Sequence, residues 1–136
     1  MKKLTVEANI ESLNEVIGFI NAELECNNCP PELVSNINLA VEEIFVNIAN
    51  YAYIPSTGSA SISVDSIGEE VVIKFEDTGK QYNPLEHPPP NLEKPLMERE
   101  IGGLGIFLVK KFMDKVEYVR IDNKNVLTIT KKLNDS

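Results

Sequence analysis

Two hydrophobic periodicities alternate along this chain. Residues 3–9 alternate apolar and polar side chains, which predicts a first strand. Residues 13–24 carry apolar side chains at helical spacings. Ser12 and Glu15 match a capping box, so a first helix is expected to begin there.

The remaining pattern predicts a longer helix and two hairpins. Pro30 and Pro31 end the first helical region and favour a second helix over about 31–53, because proline suits the first turn of a helix. After Pro55 the period changes to two. The later elements are strands at 59–67 and 71–77, a helix over about 104–113, and a closing hairpin that turns near Asn123 and Lys124.

This order of elements, β-α-α-β-β-loop-α-β-β, determines the expected fold class. Helices do not alternate with strands, so we predict an α+β fold, a two-layer α/β sandwich with a mixed, mostly antiparallel sheet and helices on one face. The 136 residues are expected to form a single domain, 1–136. The proline-rich connection at about 80–100 is long for a compact domain, which is typical of a lid.

Composition and charge narrow the classes of function. The chain is 43% apolar and 25% charged, with a net charge of −8. This acidity disfavours direct nucleic-acid binding, and an anionic ligand would have to be held locally by backbone amides or a metal ion. No apolar run approaches the ~18 residues of a membrane span and no signal peptide is evident, so we expect a cytoplasmic protein with no membrane contact.

Cys26 and Cys29 form the only cysteine pair. A redox pair would be expected at a helix N-terminus, but these follow a helical pattern. A zinc site would need two more soft ligands, and the only histidine, His87, lies in the proline-rich loop. Two ordinary cysteines are the favoured interpretation.

The second predicted helix carries a polar stripe between apolar neighbours. Glu43, Asn47 and Asn50 share one helical face. One interpretation is a second solvated edge of the helix. The other is a carboxylate and carboxamides that project into a cavity, where Glu43 would suit general-base work and Asn47 would suit Mg²⁺.

Two later segments bear on that choice. Asp77 and Gly79 stand where a strand ends, either as a common turn or as part of a site. Gly102, Gly103 and Gly105 precede or open a helix, where exposed amides favour an anion, although a flexible hinge is the competing interpretation. The spacing fits neither a P-loop nor a dinucleotide-binding fingerprint.

Together, VEEIFVN, DTG and IGGLG resemble the N, G1 and G2 boxes of the GHKL, or Bergerat-fold, ATPases. The short chain is similar to the branch of anti-sigma-factor serine-protein kinases. The resemblance implies ATP and Mg²⁺ as cofactors, with about 80–100 as the ATP lid. Two departures are Gln81, in place of a second glycine in the G1 box, and Tyr51, where this branch often carries histidine.

The resemblance also implies roles for individual residues. Glu43 takes the position of the general base and Asn47 that of the Mg²⁺ ligand, with Asn50 near the site. Asp77 takes the position that recognises the adenine amino group, and Gly79 lies beneath the base. The residues implied at the phosphates are Gly102, Gly103, Leu104 and Gly105. Thr128 is expected to line the adenine pocket.

The implied function is an ATP-binding anti-sigma regulator with serine/threonine-protein kinase activity. Its expected partners are an anti-anti-sigma (STAS-type) protein, phosphorylated on a serine, and a sigma factor. The alternative is a nucleotide-gated binding module with little or no catalysis. The sequence leaves open whether the first strand and helix form a homodimer interface.

Overall fold

The computed structural model describes residues 2–27, 29–53, 56–86 and 103–133. Their order of helices and strands is the predicted one. Short 3₁₀ turns cover Ile10–Ser12 and Pro84–Glu86. The main elements are β1 (Lys2–Glu7), α1 (Leu13–Cys26), α2 (Pro31–Tyr51), β2 (Ser59–Ile67), β3 (Glu70–Asp77), α3 (Gly103–Phe112), β4 (Lys115–Ile121) and β5 (Lys124–Lys132).

The five strands form one sheet in the order β1-β2-β3-β5-β4. The four strand pairs described are all antiparallel, where a mixed, mostly antiparallel sheet was predicted. The predicted α+β fold class is confirmed. One row of the register runs across the sheet from Ala60 through Asp77 and Asn125 to Arg120. This row marks the end of the sheet at which the functional site is built.

The core lies between one face of the sheet and the helices. On β3, Val71, Ile73 and Phe75 are buried, whereas the residues between them are only partly buried. Side chains from both long helices complete this apolar layer, namely Val16, Ile20 and Leu24 of α1 and Ile37, Val41, Ile44 and Phe45 of α2. One face of α2 is therefore fixed against the core, which determines where its polar stripe points.

The start of α1 differs from the predicted capping box. Ser12 makes no side-chain cap hydrogen bond. Instead, the Asn9 side chain caps the preceding 3₁₀ turn, where its Oδ1 accepts a hydrogen bond from the backbone N–H of Ser12 at 3.0 Å. The capping box was wrong because Asn9, three residues earlier, is an equally good cap and begins the helical segment sooner.

The closing hairpin turns at Asp122 and Asn123, one residue before the predicted turn. Both have positive φ, at 52° and 62°. A two-residue hairpin turn of this kind requires positive φ at both positions, and Asp and Asn tolerate it better than most residues. This turn sets the register of β5 against β4, in which Ile121 pairs with Lys124.

Both cysteines are free thiols. Cys29 packs partly buried against the core, and this burial raises the pKa of its thiol. A reactive cysteine needs the opposite shift, which agrees with the interpretation of ordinary cysteines. In the described ranges, no helix has both the length and the apolar character needed to cross a membrane.

Candidate functional site

The polar stripe of α2 lines a cavity of about 210 Å³. Glu43 and Asn47 are half-buried in its wall, and Asn50 lies at its exposed end. The opposite face of the helix, with Val41 and Phe45, is buried in the core. The stripe is therefore the wall of a cavity and not simply a second solvated edge.

Asp77 reaches the same cavity from the end of β3. Its side chain is only 7% exposed. One carboxylate oxygen, Oδ1, accepts hydrogen bonds from the Gly79 backbone N–H at 2.9 Å and from Asn125 Nδ2 at 3.0 Å. The structure thus brings the predicted N-box and G1-box side chains together around one space.

The C-terminal end of α2 is tied to the segment that follows Asp77. Lys80 N donates to the carbonyl oxygen of Ala52 at 2.8 Å. The Tyr53 hydroxyl donates to Ser59 O at 2.6 Å and accepts from Thr78 N at 2.8 Å. These contacts fix the distance between the α2 stripe and the carboxylate of Asp77.

Gly79 has a packing role that the sequence did not reveal. A Cβ at this position would overlap the carbonyl oxygen of Ala52 and lie 2.6 Å from the carbonyl carbon. The described lining of the cavity does not include Gly79. Its missing side chain therefore allows the loop to approach the end of α2, and its implied place beneath a base stays a prediction.

The environment of Glu43 changes its acidity. Burial in the cavity wall raises the pKa of its carboxyl group, and the nearby Glu42 carboxylate raises it further. A carboxylate with a raised pKa is a better proton acceptor than an ordinary exposed one. The predicted role of Glu43 as a general base is compatible with this shift in pKa and stays a prediction.

Tyr82, at the start of the proline-rich connection, also lines the cavity. Its phenol hydrogen-bonds with Asn47, and burial raises the pKa of this phenol. Sequence reasoning missed Tyr82 because the loop offers no periodicity from which to place a side chain. Tyr51, noted as a departure from the family pattern, lies in the same wall and is 41% exposed.

The glycine segment is only partly described. Gly102 and residues 87–101 of the predicted lid lie outside the described residues, and so does His87. The backbone of Gly103, Leu104 and Gly105 forms the first turn of α3. Farther along this helix, Ile106 and Val109 line the cavity. The phosphate-binding role of the glycine segment stays a prediction.

Thr128 does not face the cavity. It pairs with Lys74 and Glu117 in the sheet. These positions belong to the face turned away from the helices, because alternate residues of a strand point to opposite faces. Asn125 and Leu127 line the cavity instead, so the expectation for Thr128 was wrong in its register.

Asn125 is the residue of this site that sequence reasoning missed most clearly. It is 7% exposed and hydrogen-bonds directly with Asp77. The sequence did carry one indication, because alternate residues of a strand share a face, and Asn125, Leu127 and Ile129 lie on the face of β5 that is turned toward the helices. The other face of β5 carries Val126, Thr128 and Thr130, so the sequence pattern did not distinguish the two faces.

Comparison with known proteins identifies the family. Residues 6–131 match the model of the histidine kinase-like ATPase domain, which is nearly the whole chain. The chain belongs to this family. ATP is the ligand that the family description implies.

Individual relatives agree with that family. The chain is 30% identical over 95 residues to the serine/threonine-protein kinase BtrW of Bordetella bronchiseptica, covering 69% of this chain and 67% of the relative. It is 27% identical to an anti-sigma F factor of Caldanaerobacter subterraneus, covering 93% and 87% of the two chains.

A solved structure supports the fold. The RsbU and RsbW domains of Rv1364c from Mycobacterium tuberculosis superpose with a TM-score of 0.62 at 15% identity. The match covers 98% of this chain and 33% of that larger one. At this identity the likeness concerns the fold alone.

Proposed function

We propose that this protein is an ATP-dependent serine kinase of the anti-sigma type. The observation that carries the proposal is the convergence of Glu43, Asn47 and buried Asp77 on one cavity in a chain of the histidine kinase-like ATPase family. Its proposed substrate is a serine on an anti-anti-sigma (STAS-type) partner. A sigma factor is the second proposed partner, since one relative is named an anti-sigma factor.

Asp77 is proposed to recognise adenine. Its Oδ1 already accepts two N–H groups, so its other oxygen, Oδ2, is the one to accept a hydrogen bond from the exocyclic amino group. Apolar walls from Ile44, Phe75 and Leu127 suit the faces of a planar base. Such a mixture of apolar walls and a few oriented polar groups is typical of ligand pockets.

Asn47 is the proposed Mg²⁺ ligand. Its carboxamide oxygen is a hard ligand on the cavity wall, one helical turn from the Glu43 carboxylate. These residues fit the ion, because protein-bound Mg²⁺ commonly takes one or two side-chain oxygens, substrate phosphates and water. When bound, Mg²⁺ would neutralise charge on the phosphates during transfer.

Glu43 is the proposed general base. It would accept the proton of the attacking serine hydroxyl as the γ-phosphoryl group leaves ADP, and the raised pKa of its carboxyl supports this role. Most of the rate enhancement would come from positioning and charge stabilisation, as in other phosphoryl transfers.

The test is transfer of label from γ-labelled ATP to a STAS-type protein in the presence of Mg²⁺. We expect transfer with the wild type, none to a partner whose serine is replaced by alanine, and at least ~100-fold slower transfer with Glu43→Gln at nearly unchanged ATP affinity. Nucleotide-dependent partner binding without any transfer would instead support the gated binding module. Loss of ATP binding in Glu43→Gln would contradict the assigned role.

A further inference from the structure

Asn125 uses its entire hydrogen-bonding capacity inside the site. Its Nδ2 donates to Asp77 Oδ1 at 3.0 Å and to Lys80 O at 2.6 Å. Its Oδ1 accepts from the Tyr118 hydroxyl at 2.6 Å and from Tyr82 N at 3.3 Å. Two donated and two accepted bonds exhaust the groups that a carboxamide offers.

These partners fix the orientation of the amide. The carbonyl oxygen of Lys80 can only accept, and the backbone N–H of Tyr82 can only donate. The nitrogen must therefore point toward Lys80 and Asp77, and the oxygen toward Tyr82 and Tyr118. An interchange of the two ends would oppose acceptor to acceptor and donor to donor.

The same geometry determines which oxygen of Asp77 faces a ligand. Gly79 N and Asn125 Nδ2 both bind Oδ1, from the loop and from the neighbouring strand. In the described part of the chain, these hydrogen bonds to the carboxylate all fall on Oδ1. The carboxylate is thus held so that Oδ2 remains available to accept a hydrogen bond from a ligand.

We propose that Asn125 is a positioning residue that orients the Asp77 carboxylate and so sets a preference for adenine over bases that carry a carbonyl in place of the amino group. Asp77 Oδ2, held in this position, accepts a hydrogen bond from an amino group and repels a carbonyl oxygen. Because the Asn125 amide also binds Lys80 and Tyr82, it couples base recognition to the first residues of the loop. This inference rests on the proposed function, since it presumes that the cavity binds ATP.

The test compares ATP with inosine triphosphate, whose base carries a carbonyl in place of the amino group and a proton on N1. Affinities of the full chain are measured by competition against a fluorescent ATP analogue. Asn125→Leu keeps the approximate side-chain volume and removes all four hydrogen bonds. We expect its ATP affinity to fall about tenfold or more, and its affinity for inosine triphosphate to fall less than about twofold.

Asn125→Asp provides a second variant in case the leucine variant does not fold. It keeps the acceptors toward Tyr118 and Tyr82, loses both donors and places a second carboxylate beside Asp77. We expect the preference for ATP over inosine triphosphate to fall by a similar factor. Thermal unfolding of each variant checks that the domain is folded.

The outcomes separate the two proposals. A preference for ATP that is unchanged in both variants, or equal losses for both nucleotides, would mean that Asn125 has only a structural role and would overturn this inference alone. A wild-type protein that binds no ATP would overturn the proposed function, and this inference with it.

Discussion

Replacing Gly79 with alanine should strongly destabilise the domain, because the new methyl group has no space. Its Cβ would overlap the carbonyl oxygen of Ala52 and lie 2.7 Å from the Ala52 Cβ. These are mostly backbone atoms at the end of α2, so they cannot rotate away. The loop would have to move instead, and it carries several hydrogen bonds.

The magnitude follows from what the movement disrupts. Overpacking alone costs about 1–3 kcal/mol. The hydrogen bonds from Lys80 N to Ala52 O and from Arg120 to Gly79 O, at 2.8 and 2.9 Å, add about 1 kcal/mol each if both are lost. We therefore expect the free energy of unfolding to fall by about 3–5 kcal/mol if both hydrogen bonds are lost, a large part of the ~5–15 kcal/mol of a typical domain.

Two other glycines serve as matched controls. Gly18, inside α1, has open space around its Cβ position, so Gly18→Ala should stabilise the domain by about 0.5–1 kcal/mol through helix propensity. Gly68 also has open space but a φ of +62°, so Gly68→Ala should cost about 1–2 kcal/mol in backbone strain.

Urea denaturation followed by circular dichroism measures all three variants. The expected order of stability is Gly18→Ala above the wild type, then Gly68→Ala, then Gly79→Ala. A Gly79→Ala protein as stable as the wild type would refute the close packing between the loop and α2. A Gly18→Ala protein that is clearly destabilised would refute the assignment of that position to open space.

Two further predictions concern Glu43 and Tyr53. Burial raises the pKa of the Glu43 carboxyl group in the folded state above its value in the unfolded chain. The free energy of unfolding of the wild type therefore decreases as the pH rises from the unfolded-state pKa through the folded-state pKa. Glu43→Gln should thus be more stable than the wild type at pH 7 and should lose this advantage below about pH 4, as measured by urea denaturation across pH. Tyr53→Phe removes the hydroxyl that bonds Ser59 O and Thr78 N, and should lower the free energy of unfolding by about 1–3 kcal/mol. Equal stability of Tyr53→Phe and the wild type would contradict the anchoring of α2.

Much of the site was predictable because it follows simple periodicities. The spacing of Glu43 and Asn47 places them on one helical face, but spacing alone left open whether that face is a solvated edge or a cavity wall. The position of Asp77 at a strand end was likewise compatible with a common turn, and the resemblance of the three boxes favoured a site. Their convergence on one cavity depends on the sheet order, which placed the end of β3 near α2.

The error for Thr128 concerns the choice between the two faces of β5. Asn125 lies on the face of β5 that borders the cavity, whereas Thr128 pairs with Lys74 and Glu117 on the other face. A strand has a side-chain period of two, so pattern alone cannot choose between these faces when both carry polar residues. Gly79 shows a different limit, since its constraint comes from Ala52, which is distant in sequence.

The most direct test of the central claim is Mg²⁺-dependent ATP binding, measured by titration calorimetry. We expect the wild type to bind ATP, Asp77→Asn and Asn47→Ala to bind at least about tenfold more weakly, and Thr128→Val, altered on the opposite face of the sheet, to match the wild type. Absence of binding by the wild type at millimolar ATP, or full binding by Asp77→Asn, would contradict the account.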